Sequence, residues 1–363
     1  MTCRIAWLPG DGIGPEVLAA VRLVLDRLAL DAEYIHGDIG WECWRREGDP
    51  LPQRTIDLLK TVTVAMFGAI TSKPAKQAEA ELDPGLRGKG LSYRSPIVRL
   101  RQLFDLYICL RPCVAYPGNP LNYKEGINLV IFRENTEDLY AGVEFHPVPA
   151  PLSDALSDLS PAFSPFGRLH ANDYAVSCKI NTRAGSERIA RAAFDFARTH
   201  GRRKVTIAHK ANVVRASDGL FLETAREVAA GYPEILVEDA NVDAAAMWLL
   251  KNPLNYDVLL APNLYGDILS DLCAQMVGGL GFGCSGNNGE RLAEFEPPHG
   301  SAPKYAGKNK VNPTATILSA VLMLRHLNET KAADRLETAV RDVIKEGKFV
   351  TYDLKANRDD PTA

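Results

Sequence analysis

Long hydrophobic runs are missing from this chain of 363 residues: no stretch approaches the roughly 20 apolar residues of a membrane span, so no membrane partner is expected. An excess of either charge is missing too. Lys+Arg 42 against Asp+Glu 45 give a formal net charge of -3, which supplies no electrostatic case for a nucleic-acid partner. Any basic site has to be local. Cysteine is sparse and shows no pairing pattern. Cys3, Cys43, Cys109, Cys113, Cys178, Cys273 and Cys284 are odd in number and mostly embedded in apolar runs, which predicts reduced core thiols in a cytosol-like compartment. Cys109 and Cys113 stand four apart, but no His or second Cys pair accompanies them at zinc-site spacing. The opening MTCRIAWLPGDG carries a charge at Arg4 and a turn at Pro9, so no secretory leader is expected, and a cytoplasmic protein is the reading.

What is present is ordinary globular material, 46% hydrophobic and 24% charged, with Gly 28 and Pro 23. The length exceeds the roughly 100 to 200 residues of one domain, which predicts two lobes. Arg4 to Leu8 reads as a strand, followed by the turn GDGIGP and a helix with Val17, Leu18, Val21, Val24, Leu25 and Leu28 on one face. Strands over 62–70, 127–132, 204–209 and 256–261 alternate with helices over 186–198 and 218–230. That rhythm predicts an α/β fold with a largely parallel sheet. Residues 71–94 form a polar loop, and the Pro- and Ser-dense stretch 147–167 reads by composition as a connector.

The glycine turn GDGIGP follows a strand, yet Pro15 stands where the dinucleotide fingerprint GxGxxG needs glycine. Sharper is the set Arg101, Arg111 and Arg133, because arginine pairs with carboxylates through a planar fork and three such forks suit a di- or tricarboxylate. Arg111 before Pro112, and Arg133 after four apolar residues, are poor places for casual surface charge. In NLYGDILSD, Asp267 and Asp271 are four apart on a helix expected to open after Gly266. That spacing sets two carboxylates on one face, about 5 to 6 Å apart at Cβ, and suits Mg2+ or Mn2+. Asp243 adds a third acid beside an apolar helix. The loop EPPHGSAPKYAG can offer backbone N–H groups and Lys304 to phosphates.

In order and spacing, GDGIGPEV, LYICLRP, FRENTEDLYAG, HKAN, NLYGDILSD, VGGLG and FEPPHGSAPKYAGKNKVNP resemble the β-decarboxylating dehydrogenases, namely the isocitrate, homoisocitrate and 3-isopropylmalate dehydrogenases. The resemblance runs over nearly the whole chain. It implies an α/β fold that is not of the Rossmann type: a large coenzyme-binding domain from 1–106 and 278–363, a small domain from 107–137 and 183–277, and a clasp, 138–182, exchanged between two copies of a homodimer. By matching motif, Ser95, Arg101, Arg111 and Arg133 resemble the carboxylate-binding set, and Asp243, Asp267 and Asp271 the metal ligands. Tyr140 and Lys210 look like the catalytic pair, with Lys210 and Asp243 expected from the partner subunit. His299, Gly300, Ser301, Ala302 and Asn312 resemble the adenosine-binding loop, and Thr71 the nicotinamide-side loop.

The implied chemistry is oxidation of a 2-hydroxy acid followed by loss of CO2. Ile97 stands where isocitrate-specific members often carry Asn, while GAITS followed by SPIV is closer to homoisocitrate dehydrogenases. Arg99 adds a cation near Ser95, so a distal anionic group, as on isocitrate, homoisocitrate or a phosphonate analogue, is favoured over an isopropyl group. An isopropylmalate or a tartrate/malate-type substrate remains open, as does a non-catalytic regulatory subunit of a heteromeric dehydrogenase. Lys304 and Tyr305 replace the acid and aliphatic pair of NAD-specific relatives, and Tyr352 resembles a phosphate-binding tyrosine. NADP is therefore expected over NAD, although Ala356 stands where an arginine often accompanies that tyrosine.

Overall fold

The first apolar run becomes strand β1 (Cys3–Gly10) in this computed structural model, which describes residues 2–355, 357, 359 and 360. The later strands are β2 (Ala32–His36), β3 (Val64–Ala69), β4 (Ile108–Val114), β5 (Asn128–Glu134), β6 (Glu144–Phe145), β7 (Val176–Ser177), β8 (Lys204–His209), β9 (Leu236–Asn241), β10 (Val258–Ala261), β11 (Ser285–Asn288) and β12 (Ala293–Glu296). Ten of them join one sheet in the order β2-β1-β3-β12-β11-β4-β5-β10-β8-β9, and β6 pairs with β7 as a separate ribbon.

Both flanks of the sheet are parallel, as the alternation of strands and helices predicts. The centre is not: β12 to β11, β11 to β4 and β4 to β5 all run antiparallel. A short loop closed by the Gly289 N–H on the Leu292 carbonyl joins β11 to β12, far too short for a parallel crossover. Three antiparallel steps make the two parallel flanks run in opposite senses. The functional residues therefore project from the face of the antiparallel centre, where Glu294, Asn287, Cys109 and Arg133 lie in register on neighbouring strands.

Helices Gly14–Arg27 and Thr314–His326 cover β1, β3 and β12, and bury Leu18, Val21, Leu25, Val321 and Leu324 against Ile5, Val64 and Phe295. Helices Arg183–Thr199 and Ser217–Ala229 cover the other flank, with Phe194 and Phe221 packed on Val205, Ile207 and Leu260. Among the described residues no helix is long and apolar enough to cross a membrane.

Two expectations need correction. The helix carrying Asp267 opens at Asn263, so Gly266 lies within its first turn. A Cβ at Gly266 would stand 2.6 Å from the Arg133 Cβ and Cγ; the glycine lets the helix pass over Arg133. The Pro- and Ser-rich stretch is helical over Ala150–Leu159, with Pro151 in the first turn, where its missing N–H costs nothing, and turns again over Pro161–Phe163 and Ser164–Gly167.

Candidate active site

Arg101, Arg111 and Arg133 converge. Arg101 lies on helix Pro96–Leu103, Arg111 on β4 and Arg133 on β5, and all three are buried. They surround the buried thiol of Cys109; burial pushes that thiol up, but Arg111, Arg133 and Arg101 together hold it below its usual value. Each guanidinium is aimed by a partner that spacing alone does not reveal. Glu296 accepts from Arg101 Nη2 at 2.5 Å, Ser270 Oγ accepts from Arg111 Nη1 at 2.6 Å, and Asn263 Oδ1 accepts from both Nε and Nη2 of Arg133 at 2.8 and 2.6 Å. The Nε groups of Arg101 and Arg111 are buried without a hydrogen-bond partner, which leaves donor capacity for an anion.

One helical turn apart, Asp267 and Asp271 face these arginines. Asp267 pairs with Arg133 through Oδ1 and accepts from the Tyr140 hydroxyl through Oδ2 at 2.7 Å. Burial pushes its carboxyl up, but Arg133, the Tyr140 hydroxyl and Arg111 outweigh it and hold the group below the usual carboxylate value. Asp271 lies 3.2 Å from Arg111 and is raised, because burial there outweighs Arg111. Tyr140 sits in the turn Leu139–Ala141 with Arg133 4.9 Å over its ring. Burial and the neighbouring Asp267 push its phenol up, so it stays protonated at neutral pH.

Lys210 and Asp243 form a second, separate pair. Lys210 follows β8, Asp243 opens helix Val242–Lys251, and Nζ meets Oδ1 at 2.5 Å. The hydrogen bond from Lys210 holds the Asp243 carboxyl below its usual value. Among the described residues no group of three acids, His or Cys is placed to hold a metal, so Asp243 does not join Asp267 and Asp271 within one chain.

Arg99 does not join the arginine cluster. Two positions from Arg101 on the same helix, it points about 200° away around the axis, and its guanidinium pairs with Asp49 at 2.7 Å. Its side chain is thus turned from the three buried arginines and held by Asp49. Ser95 is half-buried directly before that helix, whose first residue is Pro96. Ile97 is a core residue.

The loop after β12 holds His299, Gly300, Ser301 and Ala302, the last in the left-handed region at φ 37. Ser301 Oγ and Thr71 Oγ1 lie 2.6 Å apart, so the nicotinamide-side and adenosine-side positions named from sequence touch. Burial lowers the pKa of His299, and its Nε2 is buried without a partner. Asn312 donates to Asp353 at 3.0 Å, and the other oxygen of Asp353 is buried and unpartnered. Lys304 is exposed, with its ammonium 4.9 Å over the Tyr305 ring, and Tyr352 lies in the turn Tyr352–Leu354 beside Asp353. Glu16 ties this loop to the first helix by accepting from the N–H groups of Gly307 and Asn309. Ala356 lies outside the described residues.

The sequence model of the isocitrate/isopropylmalate dehydrogenase family matches residues 4–362. The 3-isopropylmalate dehydrogenase of Methanothermobacter thermautotrophicus is 42% identical over 351 residues, covering 97% of this chain and 93% of that protein. The isocitrate/homoisocitrate dehydrogenase of Thermus thermophilus is 41% identical over 349 residues, covering 96% and 92%. Among solved structures, an isocitrate dehydrogenase from Methylococcus capsulatus superposes with a TM-score of 0.84 at 39% identity, over 97% of this chain and 94% of that one. With that likeness and the arginine, tyrosine and aspartate cluster in place, the chain belongs to the isocitrate/isopropylmalate dehydrogenase family and is an NAD(P)-dependent dehydrogenase that decarboxylates a hydroxy acid oxidatively.

Proposed function

We propose that the substrate is a 3-substituted malate with a further acidic arm, isocitrate or homoisocitrate, oxidised with NADP in preference to NAD. The convergence of Arg101, Arg111 and Arg133 supports a malate-type polycarboxylate, and the acidic arm rests on the GAITS and SPIV strings, which are closer to those of homoisocitrate dehydrogenases. An isopropyl arm would instead require an apolar pocket.

The charges around the cluster also call for a metal. Arg101, Arg111 and Arg133 are matched by Glu296, Asp267 and Asp271, so a polyanion entering the cluster lacks a net positive counter-charge. Asp267 and Asp271 are hard oxygen donors that would supply part of a Mg2+ or Mn2+ shell, with substrate oxygens and Asp243 of a second copy adding to it. That ion would polarise the 2-hydroxyl and the adjacent carboxylate, and the nicotinamide would take hydride from C2.

A base near Lys210 of the second copy takes the hydroxyl proton. Arg101, Arg111 and Arg133 hold the carboxylates in place while CO2 leaves. Tyr140 then returns a proton to C3, and Asp267 keeps its hydroxyl oriented. A homodimer is the fitting assembly: helices Val242–Lys251 and Asn263–Met276, which carry the three acids, also expose Met247, Trp248, Leu250 and Ile268. In it, 1–106 with 278–363 would close on 107–137 with 183–277, and 138–182 would form the clasp. Lys304, Tyr305 and Tyr352 would face the 2'-phosphate of NADP, and His299, Gly300, Ala302 and Asn312 the adenosine.

Turnover of isocitrate, homoisocitrate, 3-isopropylmalate, tartrate and malate with both coenzymes and Mg2+ or Mn2+ tests the assignment. The highest catalytic efficiency is expected on one of the first two acids; a higher value on 3-isopropylmalate overturns the acidic arm. Absence of turnover on all five would point to a regulatory subunit.

A further inference from the structure

We propose that Asp11, in the glycine turn after β1, is a positioning residue for the coenzyme: its carboxylate fixes the Thr71 backbone and, through Thr71, the Ser301 segment on which the coenzyme is read above to lie. The inference rests on that reading of the loop. Its geometry is independent of it.

Asp11 is buried, and no ion pair is made by it among the described residues. Its two oxygens divide their work. Oδ1 accepts from the N–H of Trp41 at 2.7 Å and Oδ2 from the N–H of Thr71 at 2.8 Å. Burial pushes the carboxyl up, and the N–H groups of Thr71, Trp41 and Glu42 oppose that rise. One side chain thus joins three segments that are remote in sequence: the end of β1, the start of helix Trp41–Glu47 and the loop leaving β3.

The link continues to the coenzyme loop. Thr71 Oγ1 and Ser301 Oγ share a hydrogen bond of 2.6 Å, and Ser301 N–H donates to the Ile70 carbonyl at 3.1 Å. Ile13 N–H donates to the Ser301 carbonyl at 2.9 Å, so the turn holding Asp11 grips Ser301 from the other side. There is no slack in this assembly. A Cβ at Gly12 would stand 2.1 Å from the Ser301 carbonyl oxygen, and one at Gly40 would stand 2.5 Å from Asp11 Oδ1. Both glycines also have positive φ, 57 and 115.

A carboxylate is the side chain this arrangement requires, because both facing groups are donors. Asparagine has the same shape but one acceptor, so an NH2 would face an N–H and one contact would be lost. Arg101, Arg111 and Arg133 stand on other elements and are untouched by that change.

The test is direct titration of the full-length protein with NADPH and NADH, followed by coenzyme fluorescence, in wild type, Asp11→Asn, Thr71→Val and the double variant. Asp11→Asn is expected to weaken NADPH binding about tenfold or more, equivalent to about 1.4 kcal/mol, and to raise the coenzyme KM in parallel. The kcat at saturating coenzyme and the KM of the acid turned over best should stay within about threefold. Thr71→Val keeps the backbone bond and loses only the hydroxyl tie, so a smaller loss is expected; in the double variant the losses should fall short of additive. Equal weakening of coenzyme and acid would mean that Asp11 is only structural and overturns the proposal. Should Asp11→Asn fail to fold, unchanged NADPH affinity in Thr71→Val overturns the proposed route. Wild-type protein that binds neither coenzyme would instead sink the reading of the loop itself.

Discussion

Tyr140→Phe separates chemistry from structure at this site. The substitution removes one hydroxyl and keeps the ring, so the contact with Arg133 at 4.9 Å persists. The lost hydrogen bond runs to Asp267, which retains Arg133 as a partner and therefore stays ionised near neutral pH. A bond to a charged group is worth about 1.5 to 3 kcal/mol, and the half-buried position of Tyr140 places the stability loss at or below the lower end. Loss of a general acid, by contrast, lowers the rate about 10²- to 10⁴-fold, or about 3 to 5.5 kcal/mol of barrier. Activity should therefore collapse while the melting temperature moves little. Two assays isolate the step. Steady-state kcat should fall by at least about 100-fold, whereas reduction of a supplied 2-oxo-3-carboxy intermediate, which needs hydride transfer and not the C3 proton, should be largely retained. A kcat within about threefold of wild type would refute the assignment of Tyr140 as proton donor.

Asp267→Asn should weaken Mn2+ binding, and raise the Mn2+ concentration needed for half-maximal rate, far more than it changes coenzyme affinity; unaltered metal dependence would remove Asp267 from the metal site. Mixing Lys210→Met with Tyr140→Phe chains should restore about a quarter of wild-type activity, because half of randomly reassociated dimers are mixed and each holds one intact site; no recovery would place both residues in the same chain's site. Lys304→Asp should shift the ratio of catalytic efficiencies from NADP towards NAD, and an unchanged ratio would clear Lys304 of any role in that choice. Glu294 is fully buried; burial, followed by Glu296, raises its carboxyl well above the usual value. An acid raised on folding contributes stability that is fully present below its unfolded pKa and lost as pH rises through the folded one, so Glu294→Gln should gain on wild type by about 1.4 kcal/mol per pH unit across that window. A stability gap that is flat from acid to alkaline pH would contradict this.

Much of the site was legible because its residues obey simple spacings. Asp267 and Asp271 announce one helical face, and Arg111 and Arg133 announce themselves by their apolar and proline neighbours. The angular rule that pairs Asp267 with Asp271 also separates Arg99 from Arg101. The partners that aim the arginines were not legible. Glu296, Ser270 and Asn263 reach them across 195, 159 and 130 residues, and nothing local marks an acid, hydroxyl or amide for such contacts. The antiparallel centre was hidden for a related reason. Strand β11 reads SGNN, with the low β propensity of Gly and Asn, and is a strand because β4 and β12 flank it and bury it. Gly266 looked like a helix boundary, and only contact with Arg133 explains it within the helix.

The proposed chemistry couples hydride removal to loss of CO2 at a metal held by this chain's acids. The most direct measurement is CO2 released against coenzyme reduced, on the acid turned over best, before and after exhaustive chelation and after restoring Mn2+. One CO2 for each coenzyme reduced, no reduction after chelation, and recovery with Mn2+ are expected. Coenzyme reduction without CO2, or full turnover in the chelated protein, would contradict the account.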